Sequence, residues 1–203
     1  MAGEGVALAA ARRRFLWRLG SPTWLTHTRA QSLARTPTLL HPQGVAAFQE
    51  KLLGIYLGCF QDQVYAVRAR AISSIPDLVA STSEAWAGQH VLPKLVELFH
   101  ERDNTYLQRI TALHGIRELA LKCTAPETVA AVLAVLEKAA GDDVPNVRAV
   151  CARLLGDLAA ARGLLSAAQL EAVVAPALAR LADDKAESDQ EVRFVAGLAR
   201  RRL

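Results

Sequence analysis

The chain has 203 residues, a formal net charge of +4 and an apolar fraction of 52%, with aromatic residues at only 5%. Alanine, leucine and valine dominate, which is typical of a helix-rich protein with enough apolar surface for a folded core. The longest apolar run, Leu52 to Phe60, is far shorter than the roughly 20 residues that a membrane-spanning helix needs, so a transmembrane helix is not expected.

The basic residues are concentrated at the N-terminus. Residues 1–44 contain six arginines and one acid, Glu4, for a charge of +5, whereas residues 45–203 contain 18 basic and 19 acidic side chains, for −1. The arginine-rich, acid-poor segment 1–44 resembles an organelle transit peptide. The alternatives are a disordered basic tail and a sequence that replaced earlier repeats in a shortened gene product. Because the remainder is nearly neutral, it is not expected to bind nucleic acid.

From residue 45 onward, one short signature recurs at nearly constant spacing. An acidic residue precedes an arginine by six positions, at the start of an apolar helical segment, and the four arginines stand 41, 39 and 45 residues apart. The four pairs are Asp62 with Arg68, Asp103 with Arg109, Asp142 with Arg148, and Glu187 with Arg193. A period near 40 residues with helical patterning on both sides indicates a solenoid of paired helices.

A second signal has the same period. Three potential capping boxes start helices at Ser81 with Glu84, Thr124 with Glu127, and Ser166 with Gln169. The pattern predicts four helical hairpins, in the first of which Pro76 kinks or shortens the second helix. The paired helices are 45–60 with 63–80, 84–99 with 104–122, 126–140 with 146–162, and 167–183 with 189–202. We therefore predict an all-α, right-handed solenoid over residues 45–203.

The recurring turn residues allow a structural and a functional interpretation. A turn carboxylate can cap helix N–H groups and bind the arginine of an adjoining repeat, and this favours a structural role for the acid–arginine pairs. Apolar residues lie between the acid and the arginine, and we expect them to be partly exposed along one ridge. They are Val64, Tyr65, Tyr106, Leu107 and Val144. Such residues either form a docking surface or pack over adjacent hairpins.

No catalytic, metal-binding or cofactor-binding pattern stands out. The five histidines and three cysteines lack metal-ligand spacing, and there is no glycine-rich phosphate loop. Cys59, Cys123 and Cys151 lie in apolar helical stretches, as expected of buried, reduced thiols in an intracellular protein. We therefore expect a protein that is not an enzyme and that requires no cofactor.

The turn acid, the Val-Arg pair and the proline in the first helix (Leu92-Pro93-Lys94 and Ala175-Pro176-Ala177) are similar to those of HEAT repeats. Residues 48–71 (FQEKLLGIYLGCFQDQVYAVRARA), 84–113 and 141–150 (GDDVPNVRAV) resemble the last four repeats of the scaffold (A) subunits of protein phosphatase 2A. The resemblance covers roughly residues 45–199. It implies a non-catalytic, cytoplasmic and in part nuclear scaffold that binds a Ser/Thr phosphatase catalytic subunit through the turns within each repeat.

The resemblance also implies which residues contact the catalytic subunit. The matching positions are Tyr65, Tyr106, Leu107, Arg109, Ile110 and Val144. Residues 1–44 match nothing in that family, and the repeats that hold regulatory subunits have no counterpart here. The alternatives are a generic HEAT-repeat adaptor for transport or assembly, and a shortened scaffold that no longer binds the phosphatase. The first hairpin lacks a preceding neighbour, so we expect the N-terminal segment to cover it or copies of the chain to associate.

Overall fold

The computed structural model describes residues 42–101, 104–161, 163–183 and 185–203, without the side chains at positions 42 and 43. These residues are helical or in turns and contain no β-strand, which confirms the all-α fold class. The chain divides into two compact units between Ser83 and Glu84. The prediction for the basic N-terminal segment falls on residues 1–41, outside the described ranges, and on the start of the first helix.

The first unit is one helical hairpin, as the sequence predicts. Its first half is α1 (Pro42–Lys51) and α2 (Leu53–Gly58), followed by a 3₁₀ turn (Cys59–Gln61). Its second half is α3 (Tyr65–Ser73) and α4 (Ile75–Ser81). Pro76 lies in the first turn of α4, where its missing N–H leaves no helical hydrogen bond unmade. The predicted interruption is confirmed, and it falls at Ser74, whose hydroxyl donates to the Ala71 carbonyl at 2.8 Å.

An aromatic cluster joins the two halves of this hairpin. Tyr56 is 2% exposed, and its ring meets the edge of Phe60 at a centroid distance of 5.3 Å. Its hydroxyl donates to the Ala71 carbonyl across the hairpin at 3.1 Å. Burial raises the pKa of Tyr56 well above its usual value. The phenol therefore stays protonated and can donate this buried hydrogen bond to α3.

The second unit contains the three remaining hairpins. In chain order its helices are α5 (Glu84–His90), α6 (Leu92–His100), α7 (Tyr106–Ala120), α8 (Pro126–Ala139), α9 (Pro145–Ala160), α10 (Ala167–Gln169), a π-helical segment (Leu170–Val174), α11 (Ala175–Ala182) and α12 (Gln190–Arg200). The predicted boundaries agree within a few residues. The second helices of successive hairpins pack together, α7 against α9 and α9 against α12.

Prolines explain why two of the first helices are segmented. Pro93 and Pro176 each lie in the first turn of a new segment, α6 and α11. Proline cannot donate the hydrogen bond that would continue the preceding helix, so the pattern of backbone hydrogen bonds changes just before each proline. Ahead of Pro176 the rearrangement is the π-helical segment Leu170–Val174.

The capping predictions are correct in one case of three. Ser166 and Gln169 form the expected box, in which the Ser166 hydroxyl accepts from the Gln169 N–H at 3.2 Å. The box predicted for Ser81 is wrong, because its hydroxyl donates to the Asp77 carbonyl at the end of α4. The box predicted for Thr124 with Glu127 is also wrong, because Ala125 occupies the N-cap position of α8.

The glutamate assigned to the Ser81 box contacts another repeat instead. The Glu84 carboxylate accepts from the Thr124 N–H at 2.8 Å, and so links the start of α5 to the turn that precedes α8. A fourth box, which was not predicted, starts α7, where the Thr105 N–H donates to the Gln108 side chain at 2.8 Å. Its T-x-x-Q pattern is the sequence signal that identifies it.

The contact between α9 and α12 requires a glycine. A Cβ atom at Gly156 would lie 2.8 Å from the Ala199 Cβ and 3.1 Å from its Cα, so the helices would have to separate. We expect Gly156→Ala to lower the free energy of unfolding by about 1–3 kcal/mol, the range for overpacking. Urea denaturation followed by far-UV circular dichroism measures this change.

Gly197 in α12 provides the matched control, since nothing lies within 4 Å of a Cβ built there. Gly197→Ala should leave stability unchanged or raise it by up to about 1 kcal/mol, because alanine favours a helix. Equal destabilisation by both substitutions would show that close packing of α9 on α12 is not the cause.

Candidate docking surface on the intra-repeat turns

The arginines of the recurring signature bind the backbone of their own turns. The Nη1 atoms of Arg148 and Arg193 donate to the carbonyls of Asp142 and Glu187 at 2.7 and 2.6 Å, six residues earlier in each case. In the first unit, Arg68 binds the Asp62 carbonyl in the same way, at 2.7 Å. The six-residue spacing in the sequence therefore corresponds to a guanidinium that folds back over its own turn.

Asp142 links two repeats of the second unit. Its carboxylate accepts from the Val144 N–H at 2.9 Å, which caps the start of α9. The same carboxylate binds the Arg109 guanidinium of the preceding repeat through two bonds of 2.8 and 3.0 Å. The predicted double role of the turn acid is confirmed here.

Glu187 repeats this arrangement one repeat later. It accepts two hydrogen bonds from Arg148, at 2.6 and 2.7 Å, and one from the Asp189 N–H at 2.9 Å. The Glu187 side chain is only 4% exposed, and that of Arg148 is 14% exposed. The hydrogen bonds from Arg148 hold the pKa of Glu187 below its usual value. We call the pairs Arg109–Asp142 and Arg148–Glu187 the turn ladder; Asp103 lies outside the described residues.

The predicted apolar residues lie beside the turn ladder. Tyr106 and Leu107, the first two residues of α7, are 40% and 47% exposed, respectively. Ile110 and Val144 are half-buried, and the Arg109 side chain is 22% exposed while bound to Asp142. Five of the six residues predicted to contact a partner thus lie in the α6–α7 and α8–α9 hairpins.

The sixth predicted residue, Tyr65, belongs to the first unit. Tyr65 is 72% exposed and Val64 before it is 57% exposed, and the Arg68 guanidinium lies 5.7 Å from the Tyr65 ring centroid. Tyr65 is the first residue of α3. Side chains at a helix start precede the turn that faces the core, so an apolar residue there stays in contact with solvent.

The backbone preceding the helices fixes where these side chains point. Val64, Thr105 and Val144 occupy the N-cap positions of α3, α7 and α9, each in an extended conformation. The turn acids bind the backbone N–H two residues on in two of these turns, at Val64 and at Val144. The turns are therefore held by side chain–backbone hydrogen bonds rather than by burial of their apolar residues.

The three cysteines are buried free thiols. Burial raises the pKa of Cys151 to about 12 and that of Cys123 to about 11, and it also raises the pKa of Cys59. Thiols with raised pKa values remain protonated at neutral pH and are poor nucleophiles. Within the described ranges, no group of His, Cys, Asp and Glu side chains is arranged to hold a metal ion.

The comparisons with known proteins define the fold. No family model matches the chain, and no curated protein matches it either. Solved structures do match. The crystal structure of Cex1p aligns over 89% of this chain with a TM-score of 0.59 and 15% sequence identity. The chain spans 33% of the length of that structure, and at this identity the likeness shows an all-α helical-repeat fold alone. Of the helices described in this chain, none is long and apolar enough to span a membrane.

Proposed function

We propose that this protein is a non-catalytic scaffold that binds the catalytic subunit of a Ser/Thr phosphatase through its intra-repeat turns. The observation that carries the proposal is the exposure of Tyr106 and Leu107 beside a turn fixed by the Arg109–Asp142 ion pair. Tyrosine and arginine are enriched among residues that dominate binding energy, especially where the backbone is already ordered.

The turn ladder supports this function by organising the surface in advance. Each ion pair connects one repeat to the next, so the turns keep their spacing without a partner. Binding to a preorganised surface loses less conformational entropy than binding to flexible loops. Arg109 is already bound to Asp142, so we assign it a positioning role and assign the apolar contacts to Tyr106, Leu107, Ile110 and Val144.

The resemblance to phosphatase scaffolds suggests the partner. The exposed turn residues, Tyr106 and Leu107, offer an aromatic and an aliphatic side chain for contact with another protein. Tyr65 in the first unit has the same position in its turn as Tyr106 has in the second. We therefore include Tyr65 in the proposed contact set.

Replacement of the two exposed α7 residues tests the proposal. We expect Tyr106→Ala with Leu107→Ala to weaken binding of a purified Ser/Thr phosphatase catalytic subunit by about 2–4 kcal/mol, the range for central apolar contacts. The free energy of unfolding should change little, because both side chains are largely exposed in the free protein. Calorimetric titration measures the affinity, and urea denaturation measures the stability.

Phe194→Ala with Leu198→Ala is the matched control, because it also removes one aromatic and one aliphatic side chain, 66% and 43% exposed, but on α12. The control should bind the catalytic subunit like the parent chain. Loss of affinity in both double variants would indicate a nonspecific apolar effect. Unchanged binding in the Tyr106/Leu107 variant, with its fold intact, would place the phosphatase elsewhere, and absence of binding by the parent chain would favour the generic adaptor.

A further inference from the structure

The last arginine of the recurring signature, Arg193, differs from the two arginines of the turn ladder. Arg109 and Arg148 each bind the turn carboxylate of the following repeat through two hydrogen bonds. Arg193 is the next arginine in this series. It donates to the carbonyl of Glu187 at 2.6 Å, and no carboxylate among the described residues pairs with it. Its remaining N–H groups are available to an acid from outside this part of the chain.

The helix that carries Arg193 also exposes an apolar surface. The residue after the ladder arginine is half-buried at Ile110 and 7% exposed at Ala149, whereas Phe194 is 66% exposed. Leu198, one helical turn further along α12, is 43% exposed. The corresponding positions of α7 and α9, helices on which the second helix of the next hairpin packs, are therefore more buried than that of α12. Phe194 and Leu198 thus present the side of α12 on which a further hairpin would stack.

The first hairpin carries the complementary acid. Asp62 accepts a hydrogen bond from the Val64 N–H at 2.7 Å, as Asp142 does from Val144. Asp142 and Glu187 also bind an arginine from the preceding repeat, but no guanidinium among the described residues pairs with the Asp62 carboxylate. Among the described residues of one copy, Asp62 therefore has no arginine partner and Arg193 has no carboxylate partner for this repeating ion pair.

We propose that α12 binds the first hairpin of a second copy of this chain, head to tail. Arg193 of one copy pairs with Asp62 of the next, and the second copy's hairpin covers Phe194 and Leu198. The contact joins two different surfaces, so it leaves one open acid and one open arginine at the ends of the assembly. Such heterologous contacts produce chains of copies that lengthen with concentration. Phe194 and Leu198 lie outside the proposed phosphatase contacts, whereas Asp62 lies in the same turn as Tyr65 of that contact set.

Charge reversal tests the pairing directly. In sedimentation velocity runs, the full chain should associate increasingly with concentration. Arg193→Asp alone and Asp62→Arg alone should each weaken association by at least about tenfold, because each places like charges opposite one another. An equimolar mixture of the two variants should associate again, since the unchanged Arg193 of one variant then meets the unchanged Asp62 of the other, and the two reversed residues also meet.

Two further variants keep the test decisive. Arg200→Asp reverses an exposed charge on the same helix outside the ladder and should leave association unchanged. Asp62 also caps its own turn, so a loss of association in Asp62→Arg alone has two explanations. Phe194→Ser with Leu198→Ser leaves that turn intact and removes the apolar part of the contact on α12, and it should also disperse the assembly. A parent chain that stays monomeric at every concentration would overturn the proposal. Association that resists both charge reversals, or a mixture that fails to reassociate, would do the same.

Discussion

Leu113→Ala is expected to lower the free energy of unfolding by about 2–5 kcal/mol, the range for deleting a leucine side chain from a packed core. Leu113 lies in α7 and is fully buried. The substitution removes apolar contacts and leaves a cavity between helices that pack on both sides of α7, against α6 and against α9. Urea denaturation followed by far-UV circular dichroism measures the loss.

Leu107→Ala is the matched control for this prediction. It makes the same chemical change in the same helix, at a side chain that is 47% exposed. We expect a change of less than about 1 kcal/mol, because little apolar surface is returned to water. Together the two substitutions separate the roles of α7, since Leu113 stabilises the fold and Leu107 serves the proposed contact. A similar loss of stability in both variants would contradict the exposed position of Leu107.

The sequence predicts the helical hairpins well because each signal is local and repeated. An acid six residues before an arginine specifies a turn whose carbonyl accepts from that arginine, as seen at Asp62, Asp142 and Glu187. The capping boxes are predicted less well, because a side chain near a helix start can accept a hydrogen bond from any of several N–H groups, including those of other repeats. Glu84 illustrates this point, since it binds Thr124 of another repeat rather than its own helix.

The residues of the candidate site can be predicted from the sequence because their exposure depends on their local position at a helix start. The partner of the site cannot be predicted in this way. Tyr65, Tyr106 and Leu107 are exposed because they precede the first inward turn of a helix, a position visible in the sequence. The exposure of Phe194 was not predicted. It depends on what packs against α12, since the residue at the same position in the preceding helices is half-buried at Ile110 and 7% exposed at Ala149. The identity of a partner depends on complementary shape and charge, which only the partner's own surface supplies.

Removal of Glu187 is expected to have a comparably large effect on stability. Glu187→Ala leaves the guanidinium of Arg148, only 14% exposed, without its carboxylate, and it also deprives the Asp189 N–H of an acceptor. We expect the free energy of unfolding to fall by about 3–5 kcal/mol, the range for removing one partner of a buried ion pair. Glu137→Ala, at an exposed position in α8, should change stability by less than about 0.5 kcal/mol.

The pH dependence distinguishes an ion pair from simple packing. Because Arg148 lowers the pKa of Glu187 in the folded protein, the folded state favours the ionised carboxylate more than the unfolded state does. This contribution is fully present above the unfolded-state pKa of about 4.3, and it is lost as the pH falls through the lower folded-state pKa. The difference in stability between the parent chain and Glu187→Ala should therefore shrink in acid. A difference that stays constant from neutral pH into that acidic range would show that Glu187 acts through packing alone.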